Sequence, residues 1–230
     1  MGRGSGNGTI LITGGAGGIG RATAAALHAA GFEPLVIDIA DGVDAADPAS
    51  VRAFLDASAP STLRGIVALA GAAGAGGVDE TDVDGWHSVI RSNLDTAYVV
   101  VREGLSRLRA VTGDRNIVLM SSVNGRNGGN TLSGPAYATA KAGIIGLARH
   151  FARTLAPDGI RANAIAPGPV ETAMYHRLSA RQREGLVAQI PLGRTIDPAE
   201  VAGVVSFLYS GAARSITGAV LDINGGLWMG

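Results

Sequence analysis

The segment Thr13-Gly14-Gly15-Ala16-Gly17-Gly18-Ile19-Gly20 decides the fold. It follows a short apolar run, residues 9–13, and leads directly into a helical pattern. A glycine-rich turn between a strand and a helix lets a pyrophosphate approach bare backbone at the helix N-terminus, where free N–H groups and the helix dipole favour an anion. Three of its glycines match G-x-G-x-x-G, which is a weak signal by itself in a chain with 35 glycines. The position between a strand and a helix favours nucleotide binding over a merely flexible loop.

The second apolar run, Leu35–Asp38, ends on an acidic residue 18 positions after Gly20. A carboxylate at this place accepts hydrogen bonds from both hydroxyls of an adenosine ribose and repels a 2′-phosphate. The glycine loop and the two positions after Asp38 contain no arginine. The sequence therefore predicts NAD rather than NADP as the cofactor.

Short aliphatic runs alternate with longer helical patterns along the whole chain, which is typical of an α/β fold with a doubly wound parallel sheet and helices on both faces. We predict one domain over residues 1–230, with residues 1–8 as a flexible tail. Asp44 follows Asp38 by only six positions, which leaves no room for a connecting helix, so a third strand near Val43 should be vestigial. The other predicted strands are Thr9–Thr13, Leu35–Asp38, Gly65–Ala70, Asn116–Ser121, Arg161–Ala166 and Ala219–Ile223. The predicted helices are Ile19–Ala30, Val51–Ala57, Val83–Val111, Tyr137–Leu155 and Ala199–Tyr209.

Composition excludes several classes of function. The chain has 19 basic and 19 acidic residues and 47% hydrophobic residues, so it is expected to form a compact globular protein without the basic surface that binds nucleic acid. It contains no cysteine, and its four histidines are far apart, so no metal site is expected. The longest uncharged apolar stretch, residues 65–78, is too short for a bilayer of about 30 Å. The N-terminus has no apolar signal core, and we expect a cytoplasmic protein.

Lys141 is the only lysine in the chain, and it follows Tyr137 by four residues. On a helix, residues at this spacing share a face. An ammonium group near a phenol favours the phenolate and is expected to lower the pKa of the tyrosine from about 10. Such a tyrosine can take a proton from an alcohol or return it to a ketone, so the pair predicts acid–base chemistry.

Four features in this order, the glycine loop Thr13–Gly20, Asp38, Tyr137-x-x-x-Lys141 and Pro167-Gly168, make the sequence resemble the short-chain dehydrogenase/reductase family over nearly its whole length. The resemblance implies a Rossmann-type sheet of about seven strands, a nicotinamide cofactor, and hydride transfer between an alcohol and a ketone.

The resemblance also implies roles for single residues. Tyr137 would be the general acid/base, and Lys141 would lower its pKa and bind the nicotinamide ribose. Ser122 would hold the substrate oxygen, with Ser121 as a weaker candidate for this role. Asn93 would organise a water chain to solvent. The residues implied around the cofactor are Gly14, Ala16, Gly17, Gly18, Ile19, Gly20, Asp38, Ile39, Asp44, Ala45, Ala70, Gly71, Tyr137, Lys141, Pro167, Val170 and Thr172.

The resemblance leaves the substrate open. The segments 171–194 and 222–226 are similar to 3-oxoacyl-acyl-carrier-protein reductases, which usually prefer NADPH. The short segment from Asp38 to Asp44 looks like NAD-dependent dehydrogenases of cyclic or hydroxysteroid alcohols. We expect the second class, with a small alcohol or ketone as substrate and a homotetramer as the assembly. The alternatives are a 3-oxoacyl-thioester reductase and a catalytically silent nucleotide-sensing protein.

Overall fold

The structure, a computed structural model, describes residues 7–58 and 61–230. In these residues, six strands form one parallel sheet in the order β2-β1-β3-β4-β5-β6. The strands are β1 (Thr9–Thr13), β2 (Glu33–Ile37), β3 (Gly65–Ala68), β4 (Arg115–Met120), β5 (Ile160–Pro167) and β6 (Val220–Ile223). The predicted α/β fold with a parallel sheet is confirmed.

Helices cover both faces of the sheet. The α-helices are α1 (Gly18–Ala29), α2 (Pro48–Ser58), α3 (Val83–Ile90), α4 (Thr96–Arg109), α5 (Asn124–Asn127), α6 (Gly134–Leu155), α7 (Ala173–His176), α8 (Ala180–Val187) and α9 (Pro198–Leu208).

Alternation along the strands divides the core into two layers, because successive strand residues point to opposite faces. Leu11 packs with residues of α2, α4 and α6 in one layer. Its neighbours Ile10 and Ile12 pack with residues of α1 and α9 in the other. All five residues of β1 are buried, as expected for a central strand covered on both sides.

The strand order places a cleft at the carboxyl end of β1. The chain passes from β1 through α1 to β2 on one side, and then through α2 to β3 on the other side of β1. Ligands of open α/β sheets bind where the strand order reverses in this way. The glycine loop and the residues after β3, β4 and β5 therefore lie along the same edge of the sheet.

The sheet has six strands in the described residues rather than about seven, and no strand forms around Val43. Ile39–Asp41 instead form a 3₁₀ turn that ends at Gly42 with a φ of +80°. The backbone N–H of Val43 donates to the carbonyl of Asp38. The segment is so short that it closes on itself through local hydrogen bonds and does not reach the edge of the sheet.

The prediction of one continuous helix over residues 83–111 is wrong in one respect, because the segment is not continuous. It is divided into α3 and α4 by a π-helical turn, Arg91–Asp95. The side-chain amide of Asn93 donates to the carbonyl of Val89, four residues earlier. A π turn inserts one extra residue into a helix and is frequent at functional sites. Hydrophobic periodicity does not reveal such a turn, because both helices keep their apolar faces.

The predicted flexible tail, residues 1–8, lies mostly outside the described residues, and its last two residues contact the rest of the protein. The N–H of Asn7 donates to the carbonyl of Gly31, and the carbonyl of Gly8 accepts from Glu33 beside β2. The rest of the predicted tail lies outside the described residues. In the described ranges, no helix is both long enough and apolar enough to cross a membrane.

Candidate active site

The glycine loop folds tightly at the carboxyl end of β1. Gly14 has a φ of +71°, and a Cβ atom built on Gly20 would lie 2.2 Å from the carbonyl oxygen of Gly14. These two positions therefore require glycine. Helix α1 begins directly after Gly17, and no side chain accepts hydrogen bonds from its first turn. The N–H groups at this helix end, including those of Gly18 and Ile19, are of the kind that binds an anion.

Thr13 joins the ends of β1 and β3, a role that the sequence did not reveal. Its Oγ1 accepts hydrogen bonds from the N–H groups of Leu69 and Ala70, both at 3.1 Å. The backbone of Ala70 then continues to Gly71 beside the cleft. A threonine at the end of a strand, directly before a glycine loop, is the signal that could have indicated this contact.

Asp38 is fixed against the glycine loop. One carboxylate oxygen accepts from the N–H of Ala16 and the other from the N–H of Ala40, each at 3.0 Å. The next residue, Ile39, has 71% of its surface exposed. The structure thus holds a negative charge at the end of β2 with an exposed apolar side chain beside it, which suits the ribose and the base of a nucleotide.

Asp44 is engaged in an ion pair that the sequence analysis did not predict. Its Oδ2 lies 2.7 Å from a guanidinium nitrogen of Arg91, and its Oδ1 accepts from the N–H of Ala46. The hydrogen bond with Arg91 is the main reason that the pKa of Asp44 is lowered. The neighbouring Ala45 is buried. The pair connects the turn after β2 to the π-helical turn.

The residues after β5 approach the glycine loop from the other side. The carbonyl of Pro167 accepts from the N–H of Val123, and the hydroxyl of Thr172 donates to the carbonyl of Val170. A Cβ atom on Gly18 would lie 3.1 Å from the methyl carbon of Thr172. These contacts bring Thr172, one of the residues predicted around the cofactor, over the start of α1.

Tyr137, Lys141 and Ser122 come together beside this cleft. Tyr137 and Lys141 lie on α6, with Nζ of Lys141 5.4 Å from the centre of the Tyr137 ring. The Lys141 side chain is almost completely buried, and its Nζ donates to the carbonyl of Met120 at 2.9 Å. Ser122 follows β4 and interacts with the Tyr137 hydroxyl.

The pKa values differ from the expectation. Burial lowers the pKa of Lys141 to about 7, so that both its charged and its neutral form are populated near neutral pH. Burial also raises the pKa of Tyr137, and the interaction with Ser122 opposes this shift. The predicted lowering of the tyrosine pKa by an ammonium neighbour is therefore wrong. Desolvation outweighs the attraction because it disfavours the charge on both groups.

Asn93 is the least satisfied polar residue of the site. Its Nδ2 donates to the carbonyls of Ala72 and Val89, whereas its Oδ1 is buried and has no hydrogen-bond partner in the described residues. A Cβ atom on Gly71 would lie 2.4 Å from this oxygen and 3.3 Å from Nζ of Lys141. Both polar groups therefore approach the same side of Gly71, and a substitution there would displace them.

Ser121 and Ser122 have different environments. The Ser121 hydroxyl donates to the backbone carbonyl of Lys141 at 2.7 Å, so it supports α6. The Ser122 hydroxyl accepts from the N–H of Asn124 at 3.2 Å and interacts with the Tyr137 hydroxyl. This arrangement favours Ser122 over Ser121 as the group that contacts a substrate oxygen.

Taken together, the described residues fit a dinucleotide and a small alcohol. Bare backbone surrounds the start of α1, Asp38 is fixed at the end of β2, and a buried amide oxygen of Asn93 lacks a partner. A phenol, a hydroxyl and a buried amine converge at the carboxyl edge of the sheet. These groups can exchange a proton with a bound alcohol and stabilise charge on its oxygen.

Comparison with known proteins agrees with this geometry. A family model described as Enoyl-(Acyl carrier protein) reductase matches residues 42–228. Cis-4-hydroxycyclohexanecarboxylate dehydrogenase of Sinomonas cyclohexanicum is 35% identical, and the match covers 94% of each chain.

Acyl-carrier-protein reductases are also similar. The 3-oxoacyl-[acyl-carrier-protein] reductase FabG of Salmonella typhimurium is 41% identical over 149 residues, which are 64% of this chain and 59% of that relative's length. The crystal structure of 3-oxoacyl-[acyl-carrier protein] reductase from Brucella melitensis is 29% identical and has a TM-score of 0.88. It covers 98% of this chain and 92% of the other.

The lowered pKa of Lys141 predicts a specific dependence of stability on pH. Because the pKa falls from its unfolded value of 10.5 to about 7, the unfolded chain binds the proton more readily between these values. The free energy of unfolding should therefore decrease as the pH falls from about 10 to about 7, and level off below. Each pKa unit corresponds to about 1.4 kcal/mol.

Urea unfolding of the wild type and of Lys141→Met at several pH values between 6 and 9 tests this expectation. The variant should lose this part of the pH dependence and be more stable at pH 6.5 by about 1 kcal/mol or more. Arg149→Met, an exposed change on the same helix, is the matched control and should keep it. If the free energy of unfolding varied with pH in the same way for the wild type and Lys141→Met, the lowered pKa of Lys141 would be contradicted.

Proposed function

The chain belongs to the short-chain dehydrogenase/reductase family, and we propose that it is an NAD-dependent oxidoreductase that interconverts a secondary alcohol and a ketone. The observation that carries the proposal is the convergence of Tyr137, Ser122 and Lys141 beside the glycine loop. A silent nucleotide sensor would have no physical need for a buried lysine next to a tyrosine, since burial of the amine costs stability.

The three side chains have distinct tasks in this proposal. When bound, the nicotinamide ring supplies or accepts the hydride. Tyr137 takes the hydroxyl proton of an alcohol or returns a proton to a ketone. The Ser122 hydroxyl donates a hydrogen bond to the same substrate oxygen and stabilises negative charge that develops there.

Lys141 and Asn93 support proton exchange with solvent. With a pKa of about 7, Lys141 changes its protonation state readily near neutral pH, and its positive form stabilises the phenolate of Tyr137. The unpartnered Oδ1 of Asn93 can accept a hydrogen bond from a water molecule on the same side of Gly71 as the amine. We propose that this water carries the proton away from the tyrosine.

Asp38 supports NAD as the cofactor within a family that uses nicotinamide cofactors. Its two oxygens are held by the N–H groups of Ala16 and Ala40, so the carboxylate cannot turn away without breaking two hydrogen bonds. A 2′-phosphate placed at the end of β2 would meet a fixed negative charge.

For the substrate, we favour a cyclic secondary alcohol. The relative from Sinomonas cyclohexanicum, whose name describes a hydroxycyclohexane substrate, matches 94% of the chain. The second candidate is a 3-oxoacyl thioester, which the names of the Salmonella and Brucella relatives favour. Assays with cyclohexanols and with 3-oxoacyl thioesters, each with NADH or NAD and with NADPH or NADP, distinguish the two.

We further propose a homotetramer in which α4 and α6 contact a second copy. A groove between these helices is lined mainly by apolar and glycine residues, and it contains Tyr98, which is 48% exposed. Gly146 in the same groove has open space where a side chain would project. Asp95 and His150 also line the groove. A two-fold axis through the groove would place Asp95 of each copy opposite His150 of the other.

Removal of the tyrosine or serine hydroxyl tests the chemistry. Tyr137→Phe and Ser122→Ala should reduce kcat by about a hundredfold or more, because each removes a group that acts on the reacting oxygen. Steady-state kinetics with the best substrate of the panel measures the loss. Tyr98→Phe and Ser88→Ala remove hydroxyls elsewhere and should leave kcat unchanged. Near-normal turnover in Tyr137→Phe would refute the proposed mechanism.

Neutralising Asp38 tests the cofactor preference. Asp38→Asn keeps the shape of the side chain but removes the charge, so the dissociation constant for NADPH should fall by about tenfold relative to that for NADH. Fluorescence titration of the two reduced cofactors measures both constants. Asp41→Asn, in the same 3₁₀ turn, is the charge-matched control. Tighter binding of NADPH than NADH by the wild type would exclude the argument from Asp38.

The groove between α4 and α6 predicts how assembly can be broken. Gly146→Arg should convert the tetramer to a smaller species, because a long charged side chain would fill the groove that the second copy needs. Light scattering after size-exclusion chromatography gives the mass. Gly185→Arg, an equally open glycine on α8, should remain tetrameric. A monomeric wild type, or an intact tetramer with Gly146→Arg, would contradict the proposed interface.

A further inference from the structure

Helix α5, directly after Ser122, contacts the supports of all three catalytic side chains. The N–H of Asn124 donates to the Ser122 hydroxyl, and the Asn124 side chain donates to the hydroxyl of Ser133 at the start of α6, one turn before Tyr137. A Cβ atom on Gly125 would lie 2.6 Å from the backbone carbonyl carbon of Lys141. A displacement of this short helix would therefore change the positions of Ser122, Tyr137 and Lys141.

Arg126 of α5 contacts the edge strand β6. The guanidinium of Arg126 forms an ion pair with Asp222 on β6, with an Nη2 to Oδ2 distance of 2.9 Å and an Nε to Oδ1 distance of 3.3 Å. The same group donates to the carbonyl of Val220. The Arg126 side chain is 14% exposed and that of Asp222 24%, so solvent screens their interaction only in part.

The C-terminal segment completes this contact. The guanidinium of Arg126 lies over the ring of Trp228 at 4.6 Å from its centre. The side chain of Asn224 holds the turn that brings the tryptophan there, because its amide donates to the carbonyl of Trp228 and its oxygen accepts from Gly226. Arg126 is thus fixed by an ion pair in its plane and by an aromatic ring on its face, a geometry that lysine cannot reproduce.

We propose that Arg126 is a positioning residue, which, through Asp222 and Trp228, holds α5 against Ser122 and Lys141 and so maintains the geometry of the catalytic groups. This inference rests on the proposed oxidoreductase function. Helix α5 has only four residues, and isolated helices of this length are unstable in water, so its position depends on contacts with other elements. Arg126 supplies the long-range contact that α5 needs.

Kinetics of Arg126→Met, Arg126→Lys, Asp222→Asn and Trp228→Leu test the inference. The kcat of Arg126→Met should fall by between about tenfold and a hundredfold, because misplacement of reacting groups by about 1 Å has effects of this size. The dissociation constant for NADH should change little. Arg126→Lys should recover only part of the loss. Asp222→Asn should have little further effect in the Arg126→Met background, since both changes break the same contact.

The pH profile separates positioning from general destabilisation. Because the interaction with Ser122 lowers the pKa of Tyr137, loosening of Ser122 should move the acidic limb of alcohol oxidation to higher pH in Arg126→Met. Arg107→Met breaks an ion pair with Asp56 between α4 and α2, remote from the site, and should change neither kcat nor the profile. A fall in kcat without this shift, or an equal fall in Arg107→Met, would overturn the inference.

The single lysine provides a test that does not need turnover. Protein labelled with [ε-¹³C]lysine gives one resonance, that of Lys141, whose titration midpoint should lie near 7 in the wild type. In Arg126→Met this midpoint should rise toward 10.5, because α5 packs against the backbone of Lys141 and its displacement would admit water to the amine. An unchanged titration together with an unchanged kcat would exclude the positioning role. If the wild type reduces no ketone but the midpoint moves, the proposed function fails and the role of Arg126 stands.

Discussion

Desolvation of one amine, that of Lys141, is the constraint on which the rest of the site depends. Among the residues that the structure describes, the buried ammonium has one hydrogen-bond partner, the carbonyl of Met120. Removing a charged amine from water is unfavourable, and the protein can bear this cost only because the surrounding sheet and helices are well packed. The same burial brings the pKa of the amine to about 7, where exchange of a proton is easiest. Burial of the Lys141 amine thus lowers the folding stability of the protein while bringing the pKa of this amine close to neutral pH.

A second local cost lies close by, at Asn93. A buried oxygen without a partner costs about 1–3 kcal/mol. The Oδ1 of Asn93 has no partner in the described residues, whereas the amide nitrogen of the same side chain donates to Ala72, Val89 and Ser92. Unsatisfied polar groups are rare in folded proteins, and this one lies on the same side of Gly71 as the buried amine of Lys141. Ser121 shows the contrasting case, since its hydroxyl is fully used in supporting α6.

The sequence was most informative where a single backbone or helix geometry admits few residue types. The close approach at Gly20 and the spacing of Tyr137 and Lys141 follow from local rules, so the sequence predicts the glycine loop and the contact between these two side chains. Long-range contacts do not follow from such local rules. The ion pair of Asp44 with Arg91, the anchoring of β3 by Thr13, and the raised pKa of Tyr137 depend on which distant groups meet and how much water they exclude. Neither quantity can be read from a linear pattern.

The π-helical turn at Arg91–Asp95 has a consequence for the phase of the two helices that it connects. One additional residue in a turn rotates everything beyond it by about 100° relative to a regular α-helix. Asn93 is buried at this turn, and Tyr98, beyond it on α4, is half exposed. A one-residue deletion that restored regular winding would turn Tyr98 toward a different side of the molecule. The inner polar residue and the outer aromatic one are therefore linked by the winding of the backbone, although they do not touch.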